Sequence, residues 1–186
     1  MSKLVATCLL AVGILVGFAG AFALQDMGEG NQEEHVAPLP TDDEYMNRMV
    51  GTWEWKGTSY VLSGQQAPFV ATEKNEWILN GQFLHTRYEM NIGGVMVYEA
   101  AGLMRKDPKT GDYKGWWFDA MGDVSTGTSK LEGDTLTGTS EGGAGKDRTT
   151  CIYKADGTAS FVMEREWPGS DKYIKFLECT GKKKTE

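Results

Sequence analysis

The sequence predicts an all-β domain, a roughly ten-stranded antiparallel up-and-down barrel with one short N-terminal helix. Three observations carry that expectation. Apolar and polar residues alternate in stretches that recur from Gly51 to Thr180, the period of half-buried strands. Turn dipeptides fall between them at hairpin spacing, among them Asn80-Gly81, Gly93-Gly94, Gly133-Asp134, Asp156-Gly157 and Pro168-Gly169. Gly supplies 24 of the 186 residues and Pro only 5, which with abundant Thr, Val, Trp and Tyr favours strands joined by turns. Sequential antiparallel strands close most economically into a barrel, because closure removes the unpaired edges. A two-sheet sandwich is the alternative, with strands usually shorter than these.

The length leaves room for one domain and its appendages. Lys3 and the apolar run Leu4 to Leu24, with the small-x-small pattern Ala21-Phe22-Ala23, read as a secretory signal peptide over 1–23. A retained membrane anchor is the rival reading, and Gly13, Gly17 and Gly20 weaken it. The expected location is the periplasm or the exterior, with membrane contact only through this segment if it stays uncleaved. Residues 24–40 are acidic and aperiodic, a flexible linker in which His35 is a solvated side chain. The globular domain covers 41–181, and 182–186 form a basic tail.

Within the domain, Thr41-Asp42-Asp43-Glu44 reads as a capping box. Tyr45, Met46, Met49 and Val50 then share one face of a two-turn helix that Gly51 stops. The first strand carries Trp53 and Trp55 on one face. The second runs from about Phe69 to Leu79, the third from Gln82 to Ile92, the fourth from Val95 to Arg105 and the fifth from Tyr113 to Ala120. Val124 to Leu131 and Thr135 to Glu141 form a polar hairpin. One of its faces holds Gly127, Ser129, Leu131, Leu136, Gly138 and Ser140, and the other is a ladder of Thr. Strands over Arg148 to Lys154, Ala159 to Trp167 and Lys172 to Thr180 complete the set.

Several functions lose support at once. A formal charge of −7 leaves no basic surplus to neutralise phosphates, so nucleic acid is not expected. No Gly-x-Ser-x-Gly elbow occurs. Gly142 to Asp147 lacks the spacing and the hydroxyl of a phosphate loop and reads as a flexible hairpin loop. Two histidines cannot build a three-histidine zinc site, so no metal or cofactor is expected. Cys151 and Cys179 flank the same strand, and two strand spacings put them about 9–10 Å apart, beyond disulfide reach. The register also places them on opposite faces, and both thiols are expected free.

His85, Arg87 and Glu89 alternate along the third strand and share a face. They either line the interior, with Asp119 as a second partner for Arg87, or form ordinary outer surface while Leu84, Tyr88 and Met90 turn inward. The outward reading is slightly favoured. Adjacent Trp116 and Trp117 must point to opposite faces. If the small-residue face of the polar hairpin points inward, indoles fill the space or a pocket remains.

Gly51-Thr52-Trp53, the stretch Asn75-Glu76-Trp77-x-Leu79-x-Gly81-x-Phe83-Leu84 continuing to Arg87-Tyr88-Glu89, and Trp117-Phe118-Asp119-Ala120-Met121 resemble an uncharacterised bacterial domain-of-unknown-function family. That family is often exported and is placed near the calycins: lipocalins, fatty-acid-binding proteins and nitrobindin-like barrels. The resemblance spans roughly Thr41 to Gly181 and implies a calycin-like barrel without established activity. By likeness to lipocalins it implies that Trp53 packs against a late arginine, here Arg165, as a structural closure. Nitrobindin-like barrels hold haem through a histidine in the C-terminal half, and no histidine follows His85, so haem is not carried over.

The expected function is binding of a small apolar or amphipathic molecule by an exported barrel. Trp55, Trp77, His85, Arg87, Tyr88, Glu89, Trp117 and Asp119 are its candidate ligand-binding residues. An enzyme using His85, Arg87 and Glu89 is one alternative, although no residue is assigned as catalytic. A structural or protein-interaction module with a filled core is the other.

Overall fold

The structure, a computed structural model, describes residues 42–60 and 65–185. The segment expected as a signal peptide, the expected linker with His35, and Thr41 lie outside the described residues. One short helix, α1 (Glu44–Met49), precedes β1 (Gly51–Tyr60), β2 (Gln66–Ile78), β3 (Phe83–Ile92), β4 (Val95–Lys106) and β5 (Tyr113–Asp119). There follow β6 (Val124–Glu132), β7 (Thr135–Gly142), β8 (Gly145–Tyr153), β9 (Thr158–Glu166) and β10 (Tyr173–Lys183). Every strand pairs antiparallel with its neighbours in the chain. β1 also pairs with β10, so the sheet closes into a barrel of ten strands.

Three boundaries differ from expectation for local reasons. Strand β10 runs on to Lys183 through the start of the segment 182–186 expected as a basic tail, because Lys182 and Lys183 pair with Glu54 and Trp53 of β1. Strand β8 starts at Gly145, because the Asp123 carboxylate accepts from the amides of Gly143 and Ala144 at 2.9 and 3.1 Å. That contact shrinks the loop expected over Gly142 to Asp147 to a two-residue turn. The helix cap is Asp43 instead of Thr41: Asp43 Oδ1 accepts from the Met46 amide at 2.8 Å. The Asn80-Gly81 turn forms as predicted, with φ of 56° and 70° and Gln82 N–H donating to Leu79 O at 3.2 Å. Positive φ at both central residues matches the right-handed twist of the flanking strands.

Helix α1 plugs one end of the barrel. Tyr45, Met46 and Met49 are buried against Trp53, Trp55, Leu84, Tyr113, Leu136 and Tyr153. Both helix termini are tied to the barrel. The Asp43 carboxylate, besides capping, accepts from Tyr113 Oη at 2.9 Å and from Lys106 Nζ at 2.9 Å. Burial pushes its pKa up, but these donors outweigh the penalty and hold it below the ordinary carboxylate value. At the other terminus, the Met49 carbonyl accepts from Trp53 Nε1 at 2.8 Å and Asn75 Nδ2 at 3.1 Å. These bonds answer the orphan carbonyl that a helix end leaves.

The register fixes which residues face inward. Trp53, Trp55 and Ser59 of β1, and Phe69, Ala71, Glu73 and Asn75 of β2, are buried, Gly57 shares their face opposite Cys179 and Phe69, and the alternate residues face out. The small-residue face of β6 and β7 turns inward, since Ser129 pairs with Tyr113 and Gly138 with Ser129. Trp117 points in and Trp116 out, because Trp117 pairs with Gly102 and Trp116 with Leu103.

Two expectations need correction. Cys151 and Cys179 are free thiols flanking β9, yet they share a face. Both stand opposite Phe161, and directly opposed residues of an antiparallel ladder point the same way. The closure expected between Trp53 and Arg165 does not form. The cation over Trp53 is Lys183, 5.9 Å from the ring, its partner in register on β10. Arg165 sits near the opposite end of the barrel and pairs with Asp147.

If Asp43 holds the plug, Asp43→Ala removes the cap and leaves Tyr113 and Lys106 without their acceptor. The expected loss is about 2–4 kcal/mol, read from urea melts. A loss under about 0.5 kcal/mol, typical of surface positions, would show that the helix is held by apolar contact alone.

Candidate functional site

With the helix closing one end, the inward-facing side chains fall into two zones. Those near the helix are buried: Trp53, Tyr45, Tyr113, Tyr153, Leu84 and Leu136. Toward the other end, Tyr98, Trp117, Ser125, Thr149, Phe161 and Met163 also point inward but are only half-buried. Much of this exposed wall is the small-residue face of β6 and β7, where Ser and Gly supply little volume. The interior is therefore packed at the helix end and accessible at the far end.

Three of the aromatic rings in the accessible half touch one another. Tyr88 lies 6.2 Å from Tyr98 and 6.0 Å from Trp117 between ring centroids. Trp117 Nε1 donates to Tyr98 Oη at 2.8 Å, so the polar edge of each ring is used by the other. Glycine seats position two of the interior indoles. A Cβ at Gly102 would lie 2.6 Å from the Trp117 ring, and one at Gly181 would lie 2.8 Å from the Trp55 ring. Each glycine is the cross-strand partner of its tryptophan, so the indole lies flat on bare backbone.

Facing these rings is an ion pair. Arg165 of β9 gives Nε and Nη2 to Asp147 of β8 at 2.7 and 2.9 Å, a bidentate contact between partners in register. The guanidinium also lies 4.4 Å from the Phe176 ring and 5.2 Å from Trp167. Burial opposes its charge, but Asp147 outweighs that and holds the pKa above the ordinary value. A guanidinium carries five N–H groups, and Asp147 is its only hydrogen-bond partner among the described residues.

The floor between the two zones is polar. Glu73 accepts from Tyr153 Oη at 2.6 Å and from Asn75 Nδ2, and Asn75 Oδ1 in turn accepts from Thr86 Oγ1 at 2.6 Å. Burial raises the Glu73 pKa, and the donors Tyr153, Asn75 and Trp55 only partly offset it. Trp55 Nε1 lies near enough to favour the carboxylate, yet it makes no hydrogen bond of proper geometry. The two interior thiols are held protonated: burial pushes Cys179 up to about 12 and Cys151 well above its ordinary value. Thiolate chemistry at neutral pH is thereby disfavoured.

The residues singled out in the sequence divide between two faces. Tyr88 and Trp117 meet in the accessible half. Trp55 lies beneath them, stacked 6.2 Å from Trp53. Trp77 is inward but lies at the helix end, donating Nε1 to Asn47 Oδ1 at 2.9 Å. His85, Arg87 and Glu89 face outward, where His85 Nδ1 lies 3.6 Å from Glu76 Oε1 and Arg87 and Glu89 are exposed. Asp119 stands at the rim and caps the following turn, accepting from Met121 and Asp123 amides at 2.9 and 3.0 Å. Glu73, Asp147, Tyr98 and Tyr153 also belong to this interior, although none was among the expected ligand-binding residues. Glu73 had a legible signal: it breaks the inward apolar series Phe69, Ala71, Trp77 at an even spacing. No group of three or more His, Cys, Asp or Glu side chains suited to a metal ion occurs among the described residues.

A family described as "Protein of unknown function (DUF1579)" matches residues 41–178. No curated protein sequence matches the chain. Among solved structures it is similar to Rv2717c from M. tuberculosis, with a TM-score of 0.62 at 11% identity, over 78% of this chain and 100% of that one. It is also similar to the S-type phycobiliprotein lyase CPES from Guillardia theta, with a TM-score of 0.58 at 8% identity, over 77% and 92%. At such identities the likeness is one of fold.

The raised Glu73 pKa has a definite sign. The native state keeps a proton that the unfolded chain has lost, so this contribution to stability is complete below the ordinary Glu value of about 4.3 and fades as pH rises through the folded-state value. Glu73→Gln keeps an acceptor for Tyr153 and Asn75 without titrating. Melts from acid to neutral pH are expected to show the wild type losing stability relative to Glu73→Gln as pH rises. Parallel curves would mean that Glu73 is not held protonated.

Proposed function

We propose that this chain, which belongs to the DUF1579 family of proteins of unknown function, is a binding barrel for a small amphipathic molecule. The ligand's apolar or aromatic body lies against Tyr88, Trp117, Phe161 and Met163, and an anionic or strongly accepting end meets Arg165. One observation carries this reading: a guanidinium fixed by Asp147 inside an aromatic-lined interior, with donors still free to take an acceptor. A cation oriented in advance loses less freedom when it binds, and the low dielectric around it strengthens the contact.

The rim supports an apolar component. Val95, Met96 and Val97 at the start of β4, with Phe118, Met121 and Val124 around the β5–β6 turn, are exposed beside the accessible end. Entry of a poorly soluble molecule past such side chains meets little desolvation cost. The outward placement of His85, Arg87 and Glu89 removes the motive for an enzyme built on those three. The apolar run before the linker supports the proposal that the barrel acts outside the cytoplasm after cleavage behind Ala23.

Native mass spectrometry of the protein from its own host tests both parts. The expected spectrum shows a polypeptide beginning at Leu24 and a retained small molecule that Arg165→Gln loses while remaining folded. A wild-type barrel without extra mass, or a ligand kept undiminished by Arg165→Gln, would contradict the binding mode. An intact Met1 in the membrane fraction would contradict the export.

A further inference from the structure

A second concave surface lies on the outside of the barrel. It is a shallow groove of about 650 Å³, within the usual range for small-ligand sites. Its floor is the outer face of β6 and β7, where Thr126, Thr128 and Thr139 offer short side chains. Trp116 of β5 and Tyr173 at the start of β10 border it. From Trp116 on β5 through Thr126, Glu141, Lys146 and Glu166 to Tyr173 on β10, the register crosses five strand spacings, about 24 Å along the sheet, longer than a single sugar ring.

Both aromatic borders are braced. Trp116 packs against Phe83 at 6.2 Å, and the Arg148 guanidinium lies 3.8 Å over the Tyr173 ring. Two large rings are thus held outward, half-buried, on either side of a Thr floor. A Thr ladder alone would be an ordinary solvated face; aromatic borders at both ends of it are what a wet sheet face has no use for. The charges nearby cancel. Lys114 is paired with Asp107 at 2.8 Å, while Glu141 stands opposite Lys146 and Arg148 opposite Glu164 in register, so neither an anion nor a cation is selected.

The chemistry that suits this surface is a neutral molecule with apolar C–H faces and many hydroxyls. Aromatic rings take the first, and Thr hydroxyls, which donate and accept, take the second. We propose that the outer groove between Trp116 on β5 and Tyr173 on β10 binds a neutral oligosaccharide, with Trp116 as the stacking platform, Tyr173 and the guanidinium stacked on it as the far border, and the three threonines as hydrogen-bonding floor. The site is separate from the interior, and its failure leaves the interior reading untouched.

The test is a titration of the full chain, followed in ¹H–¹⁵N spectra, with tetrasaccharides of β-1,4-linked glucose, xylose, mannose and N-acetylglucosamine. At least one is expected to shift the Trp116 indole and the amides of Thr126, Thr128 and Thr139 while leaving the Trp117 indole unmoved. Trp116→Ala is expected to weaken that binding about tenfold or more. Thr128→Glu, on an exposed position that touches no core side chain, should do the same should Trp116→Ala fold poorly. Arg165→Gln, in the interior, should leave it unchanged. No shift at the groove with any of the four at millimolar concentration, shifts centred elsewhere, or full binding by Thr128→Glu would overturn the proposal.

Discussion

The Asp43 carboxylate is the constraint on which the rest of the structure depends. It caps α1, takes the hydroxyl of Tyr113 from β5 and pairs with Lys106 from β4. A helix of six residues is too short to be stable alone, so it persists because its ends are tied down and one face is buried. Once it is fixed, the barrel has a closed end. Tyr45 packs edge-on to Tyr153 at 6.2 Å, and Tyr153 packs edge-on to Trp53 at 4.8 Å. Large rings therefore fill the helix end and leave the far end to small residues.

That asymmetry connects sequence to site. Strand β1 concentrates bulk in Trp53 and Trp55, whereas β6 and β7 place Gly, Ser and Leu on the same interior. A barrel of fixed circumference cannot contract to fill the difference, so the wall of small side chains stays only half-buried. Arg165 and Asp147 occupy that region as a matched pair in register. A lone internal charge there would be too costly to keep, and a pair with excellent geometry is tolerable.

Much of the fold was legible because the hairpins are local. Period-two alternation and the Asn80-Gly81 and Gly93-Gly94 turns specify neighbouring strands, and antiparallel neighbours in sequence leave little choice except closure. That Trp116 and Trp117 take opposite faces followed from alternation alone, while which of them points inward came from the register. What escaped depended on register across strands distant in sequence, or on a single competing side chain. The cysteines were placed on opposite faces because pairing to Phe161 from both sides cannot be read from either strand by itself. Arg165 was drawn to Trp53 by likeness to other barrels, while Asp147, eighteen residues before it, held the position directly opposite. Thr41 fitted the capping pattern, yet Asp43 had both the amide and two barrel donors to satisfy.

If the interior is a container closed by α1 and open at the far end, it takes up an apolar probe. Titration with 1-anilinonaphthalene-8-sulfonate, an aromatic anion whose emission rises in apolar surroundings, tests it most directly. One probe is expected to bind per barrel with quenching of indole emission, and that binding is expected to be lost in Met163→Trp, where added volume fills the interior of a variant that still melts cooperatively. No binding to the wild type, or binding undiminished by Met163→Trp, would contradict it.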